Sequence, residues 1–570
     1  MTRSGCPGVS GCVVLLSTLV WSSLFAQTTD PKGRFGQPPP ISQETVPLRP
    51  SVPLPPILPP VSPEAPLEEG RPEVRVFVRA FRLVGSTVFT PDELAEVVKP
   101  FVNRVLYTED LDAVRLALTH QYVEHGYVNS GAVIPDQTVT DGVVTIQLIE
   151  GTLENIEVSG TKHFLSVYLT SRLSRSAGRP LNIQPLQERL QLFLQDTRFE
   201  RINAELRPGP AAGEAVLQVE VQEASPYQAW LEFNNFQSPT VGAERGLATV
   251  AHLNPLGLGD YFRGTYGHSE GVEPLLDFQY SLPFTPWDTT FTGQYRRNDF
   301  TVTESPFDEL DITSTSQIVT LSLRQPVYRT LMQEVALTLT GEYVENKNFL
   351  LGIPFSFTSG STSRGEVRFS VLRFGQEWTY RQAHHVWSAR SRFSFGLDVL
   401  NATTQGSSSV PDGQFFNWLG QVQVAHRFEP VGVQVIGRMD LQVSNDRLFP
   451  LEQYALGGRY TVRGYRENTI VRDNAFLFSV EGRVPFLASS TGDVLLQGAM
   501  FVDVGRGWNA KPPTPDPDTL ASVGLGILTS LFHGNLQGSV YWGLPLNHVS
   551  TPNQNLQDHG LHVQLVWRVL

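Results

Sequence analysis

Cysteine is almost absent from this chain of 570 residues: there are two, Cys6 and Cys12. Both lie in the first 26 residues. There Arg3 supplies a positive start, residues 13–25 form an apolar stretch too short to span a bilayer, and Ala26 is a small residue suited to cleavage. A secretory signal peptide over residues 1–26 is expected, with Leu24 standing where a small residue is more usual. The mature chain would then hold no cysteine, which excludes a disulfide scaffold, a thiol nucleophile and a Cys-ligated zinc site. Positive charge is also scarce. With 43 Lys and Arg against 56 Asp and Glu, the net charge of −13 argues against a nucleic-acid partner. Charged residues make up only 17%, beside 48 Gly and 41 Pro, which excludes a coiled coil or a helical repeat. Past residue 26 no apolar run reaches about 18 residues, so a place in a membrane would require a closed barrel and not a helix. Catalytic patterns are missing too. There is no Gly-x-Ser-x-Gly, no His-Glu-x-x-His and no phosphate loop. His384 and His385 are adjacent, so on a strand they point to opposite faces and cannot chelate together. No enzyme activity, no metal and no cofactor are expected.

What is present changes in texture along the chain. Residues 27–73 hold fourteen prolines and read as an extended linker. Residues 74–150 are globular, with a strand, then Thr90-Pro91-Asp92-Glu93 as a helix start in which Thr90 caps and Glu93 completes a capping box. A second helix over about 108–126 carries Leu111, Val114, Leu116 and Leu118, and strands at Val133-Ile134 and 143–149 follow. The order is β-α-α-β-β. It recurs over 151–225: Phe81 to Ser86 and Phe89 can be laid on Ile156 to Thr161 and Phe164, an offset of 75 residues. Two copies of one small domain are expected, since a solenoid needs at least three.

From 226 to 570 short stretches alternate apolar and polar residues between Gly, Pro, Asn, Asp and Ser. Phe278, Tyr280 and Leu282 alternate with Asp277, Gln279 and Ser281; Val335, Leu337, Leu339 and Tyr343 alternate with Ala336, Thr338, Thr340 and Glu342. Aromatics mark the segment ends: Trp287, Phe291, Trp378, Trp387, Trp418, Trp542 and Trp567. Lipid outside and water inside demand this pattern, and at roughly 22 residues per strand and loop the region holds on the order of sixteen strands. The rival is a soluble sandwich, which alternates in the same sense; the number of segments, the aromatic ends and the lack of helices speak against it. The fold class expected is a transmembrane antiparallel β-barrel behind two small α+β domains. On the stretch 494–504 the even-numbered Val494, Leu496, Met500, Val502 and Val504 form the apolar face, which turns Gln497, Phe501 and Asp503 into the lumen.

The two repeats resemble polypeptide-transport-associated (POTRA) domains, and Phe-x-Leu-Val-Gly-Ser is similar to the opening of the first one in two-partner-secretion outer-membrane transporters (TpsB) of the haemolysin secretion/activation (ShlB/FhaC/HecB) type. The run from Asn254 to Asp260 is similar to that family's early-barrel hairpin. Val462-Arg463-Gly464-Tyr465 resembles its signature on a loop folded back into the barrel, and Phe501, Asp503 and Gly505 its second signature on a late strand. The resemblance implies that Arg463 meets Asp503, because a lumenal carboxylate wants a bidentate cation. Gly464 would permit close backbone approach and Gly505 would relax the strand. The pair serves barrel stability, transport or both.

Two departures stand out: residues 27–41 lack the helical periodicity of the plug helix with which the family often begins, and the chain ends in Leu570 where a barrel-assembly signal usually has Phe or Trp. The resemblance implies a monomer in the outer membrane with its POTRA units in the periplasm. Its partners would be outer-membrane lipids, the barrel-assembly machinery and a secreted, β-helical adhesin- or haemolysin-like protein. That protein would be bound by strand addition at a sheet edge near 143–149 or 215–221. A barrel-assembly factor of the same superfamily and a passive porin are the alternatives.

Overall fold

A computed structural model describes residues 75–570 except 407, 408, 430, 490–492 and 553. The expected signal peptide over 1–26 and linker over 27–73, with the plug helix expected to be absent at 27–41, lie outside the described residues. The chain divides into two compact units, one carrying three small sheets and the other a barrel.

The first small domain comprises β1 (Arg75–Val78), β2 (Ala80–Val84), α1 (Pro91–Val98), β3 (Arg104–Tyr107), α2 (Thr108–Glu124), β4 (Gly131–Val133) and β5 (Val143–Ile149). Helix α1 starts as its residues dictate: Thr90 caps, Glu93 returns the bond to the Thr90 amide at 2.8 Å, and Pro91 takes the first turn. The buried face of α2 is Val114, Leu118 and Tyr122, at helical spacing. Leu116 falls off that stripe and is 53% exposed. The second domain holds β6 (Thr152–Ser159), α3 (Ser166–Ala177), α4 (Ile183–Gln195), β7 (Phe199–Pro208) and β8 (Glu214–Glu223). It shows the expected β-α-α-β-β order. The first domain departs from it, because β1 and β3 form a separate two-stranded sheet.

Repetition extends to detail. Gly85 and Gly160 stand in equivalent turns at φ +99° and +81°, where a Cβ would lie 2.4 Å from the Leu148 carbonyl and 2.3 Å from that of Val221. A carboxylate closes each turn. Glu150 accepts from the amides of Thr87 (2.6 Å) and Val88 (2.9 Å), and Glu223 from those of Lys162, His163 and Phe164 at 2.8–3.0 Å. Burial pushes the Glu150 carboxyl up, but the Thr87 hydroxyl and the two amides outweigh it and hold it below the usual carboxylate range. Tyr122, whose hydroxyl donates to Ser86 at 2.8 Å, is pushed up to about 12 by burial.

The sheet orders are β2-β5-β4 and β6-β8-β7. Strands β5 and β8 are therefore central, and the expectation of open edges at 143–149 and 215–221 is corrected. The last strand of each domain inserts in parallel beside an earlier one, β5 beside β2 and β8 beside β6, and carries fully buried side chains, among them Ile146 and Leu217. The true edges are β2, β4, β6 and β7.

The barrel runs through β9 (Tyr227–Asn234), β10 (Arg245–His252), β11 (Tyr261–Ser269), β12 (Val272–Pro283), β13 (Thr290–Thr301), β14 (Ile312–Arg329) and β15 (Gln333–Leu350). After the two-residue β16 (Ile353–Pro354) come β17 (Glu366–Arg381), β18 (His385–Leu397), β19 (Phe416–Phe428) and β20 (Val433–Ser444). A hairpin of β21 (Tyr454–Leu456) and β22 (Ile470–Arg472) precedes β23 (Asn474–Ala488), β24 (Val494–Trp508), β25 (Thr519–Leu531), β26 (Leu536–Pro545) and β27 (Leu561–Arg568). Sixteen antiparallel strands close when β27 pairs with β9, Trp567 opposite Leu231. No described helix is long and apolar enough to cross a membrane.

The alternation sorts the faces. Leu321, Leu339, Met500 and Val502 are exposed on the outside, whereas Asp277, Glu342, Asp440 and Asp503 are buried within. Trp287, Trp378, Trp387, Trp542 and Trp567 face outward. Most connections at one end are short, such as 330–332 and 382–384, and most at the other are long, such as 398–415 and 445–473. Toward the long-loop end the interior is not uniformly polar: Ile318, Val344, Phe369 and Val371 of the wall pack with Phe449 and Leu451 of the longest loop.

Candidate functional site

Residues 445–473 fold against the inward faces of the wall. Their hairpin, β21 with β22, pairs only with itself, so the loop is held in the lumen by side chains and turns instead of by the barrel ladder. Two glycines let it bend: Gly457 at φ +102° and Gly458 at φ +99°, where a Cβ would collide with Glu467. Glu467 braces the turn by accepting the Arg459 amide at 2.6 Å.

At the tip Arg463 is 3% exposed. Its Nε and Nη2 donate to the two oxygens of Asp503 at 2.8 and 2.9 Å, and its own amide donates to the same carboxylate at 3.1 Å. Nη1 donates to Glu481, a contact shared on the other oxygen by Arg483 Nε (2.6 Å) and the Tyr541 hydroxyl (2.9 Å). Ser479 donates to Asp503 at 2.6 Å. The guanidinium lies over the Phe501 ring at 3.7 Å, so its face is covered as well as its edges. Such a pair is worth little net, but removing one partner leaves a buried charge uncompensated, at a cost of about 3–5 kcal/mol.

The neighbouring residues seat the tip. Gly464, at φ +90°, rests so close to Gly543 that a Cβ would lie 2.8 Å from its carbonyl carbon. Tyr465 donates to the Ala521 carbonyl at 2.8 Å, and Arg466 bridges Asp558 and Glu304. Val462 is fully buried against Gly505, where a Cβ would sit 2.8 Å from Leu456 and 2.9 Å from Val462. Gly505 thus leaves clearance for the loop. All seven residues singled out in the sequence meet here. Sequence reasoning missed Ser479, Glu481, Tyr541 and His562, the last of which accepts the Gly464 amide at 3.2 Å. The first two were findable: Ser479, Glu481 and Arg483 alternate with Phe478, Val480 and Val484 along β23.

A sixteen-stranded barrel with a loop latched inside it, preceded by two small α+β domains, defines a class of protein-transporting outer-membrane barrels. The chain belongs to the haemolysin secretion/activation protein ShlB/FhaC/HecB family, whose model matches residues 213–529, and residues 76–151 match the ShlB-type POTRA domain. It is 26% identical over 508 residues to the outer membrane transporter CdiB of Escherichia coli, covering 85% of this chain and 80% of that one. It is 24% identical over 436 residues to the hemolysin transporter protein ShlB of Serratia marcescens, with 74% of each covered. The solved structure of CdiB from Escherichia coli shares the fold, with a TM-score of 0.66 at 23% identity over 89% of this chain and 93% of that one. The chain is a two-partner-secretion transporter of the outer membrane, its POTRA domains periplasmic.

Proposed function

We propose that the chain exports one dedicated, unfolded partner, which enters at POTRA domains spanning 74–150 and 151–225 and crosses the barrel of 226–570 when residues 445–473 leave the lumen. The observation that carries this reading is the independence of the β21–β22 hairpin from the wall ladder. The loop can withdraw without breaking a strand-to-strand hydrogen bond of the barrel. Arg463, Asp503 and Glu481 are then the latch, and Gly464, Tyr465 and Phe501 its seat.

The partner adds as a strand to a POTRA edge. Edge β7 carries Glu200, Arg201, Glu205 and Arg207 at exposed positions, a pattern that discourages pairing. Edges β2 and β4 of the first domain are freer, with Val84 and Val133 exposed. An adhesin- or haemolysin-type partner suits such capture, and one similar protein is named a hemolysin transporter. The transporter acts as a monomer, and partner folding outside supplies the direction. Deleting residues 74–223 should abolish partner export while leaving a barrel with normal heat-modifiable mobility; undiminished export would overturn the proposal.

A further inference from the structure

Arg459 lies on the same loop, yet the latch does not use it. The residue is 5% exposed. Its amide serves the turn, but its guanidinium has no hydrogen-bond or ion-pair partner among the described residues, and its Nε is buried and unsatisfied. One face of the group is covered by the Tyr541 ring at 4.1 Å.

Arg459 lines a cavity of about 470 Å³, mouth included, together with Arg438, Arg463, Arg483 and one carboxylate, Glu481. The other cations are matched. Arg438 pairs with Asp440, Arg463 with Asp503 and Glu481, and Arg483 with Glu481. Three of these four guanidiniums therefore hold carboxylate partners, and Arg459 is the one whose Nε is buried and unmet. A buried unpaired charge is expensive, and a guanidinium with its face covered still offers its edge to a planar or tetrahedral oxyanion.

We propose that this lumenal cavity is an anion site in which Arg459 is the principal ligand for one carboxylate, sulfate or phosphate group. The group arrives either as a free ion or as an acidic side chain of a chain in transit. The inference stands apart from the export mechanism, because the first test needs no partner.

Full-length protein in detergent is titrated with sodium sulfate against chloride at constant ionic strength, following its melting midpoint. A saturable rise is expected, abolished by Arg459→Gln and weakened roughly tenfold in sulfate affinity by Arg459→Lys, which keeps the charge and loses the fork. In planar bilayers a Glu-rich peptide and a Gln-rich one of equal length are added on the periplasmic side. Blockade by the acidic peptide alone, relieved by Arg459→Gln, assigns the site to passing carboxylates; a sulfate response without blockade assigns it to free ions. If Arg459→Gln does not assemble, Arg459→Lys carries both comparisons. A flat sulfate titration together with equal currents for both peptides overturns the proposal.

Discussion

Arg463 is the residue on which the loop's position turns, because it alone satisfies two wall carboxylates, Asp503 and Glu481. Truncating it leaves Asp503 buried without a cation and Glu481 with Arg483 alone, and the cheaper outcome is release of the loop. With about 3–5 kcal/mol at stake, Arg463→Ala should raise the labelling rate of a cysteine placed at Thr461, itself 3% exposed, by roughly a hundredfold or more, read with a membrane-impermeant maleimide. The assay is run in a background with Cys6→Ser and Cys12→Ser, so that position 461 carries the one thiol. At this scale the sequence showed one half of the latch. Asp503 was legible because its inward face follows from the alternation of β24, and Arg463 through a motif. Glu481 faces inward by the alternation of β23 in the same way, but neither it nor Tyr541 could be assigned to the latch, since an inward side chain on one of sixteen strands looks like any other until the loop comes to it. In the periplasmic part the telling residue is Glu150. Its folded pKa is depressed, so its contribution is present above the ordinary carboxylate value of 4.5 and is lost as pH falls through the lower folded value. Urea unfolding of the first POTRA domain, followed at pH 7 and again near pH 3, should show that loss. Glu150→Gln should reduce it.

Among the elements, the junction of the two POTRA domains is built from backbone. The Ile183 amide at the start of α4 donates to the Gly126 carbonyl past the end of α2 at 3.0 Å, and the Leu181 amide, just ahead of it, is anchored within its own domain to the Gly151 carbonyl at 2.8 Å. Asn129 adds side-chain bonds to the carbonyls of Gly213 (2.9 Å) and Thr152 (3.3 Å). Asn129→Ala removes those two, a loss of about 1–3 kcal/mol, and should speed amide exchange at Leu181 and Ile183 without touching the cores; unchanged exchange would mean that the backbone contacts hold the pair unaided. Helix starts and strand identities in this region were legible because capping and periodicity are local. Strand order was not. Whether the last strand of each domain lies at an edge or in the centre depends on long-range pairing, and an apolar alternating run such as 215–221 fits either place. The alternating run 74–84 reads as one strand but is broken into β1 and β2, and the four-residue β3 is too short to announce itself by period.

For the molecule as a whole, one rule should separate tolerated from damaging changes: which way a residue points through the wall. Thr320 and Leu321 are neighbours near the middle of β14. Leu321 is 52% exposed on the outer face, and Thr320 faces inward, its hydroxyl 3.4 Å from Glu342. A charge on the lipid face at mid-depth costs about 2–4 kcal/mol, whereas lumenal substitutions leave the barrel's place in the bilayer intact. Leu321→Arg should therefore destabilise the barrel by about that amount in a reversible urea titration in lipid vesicles, and lower the folded, heat-modifiable fraction at assembly. Thr320→Lys, one residue away, should cost well under half as much, because its ammonium enters a lumen already supplied with the Glu342 carboxylate. Equal costs at the two positions would mean that the alternation does not describe a lipid-facing wall. The same rule explains what alternation could not reveal. Inward Ile318, Val344 and Phe369 read as lipid-facing side chains in a sequence, yet they lie inside, where Phe449 of the loop stacks on Phe369 at 5.6 Å. Apolar burial there assists the ionic latch, so Phe449→Ala should release the loop in the Thr461 labelling assay even with Arg463 in place, at a cost of about 3–5 kcal/mol for a buried phenylalanine.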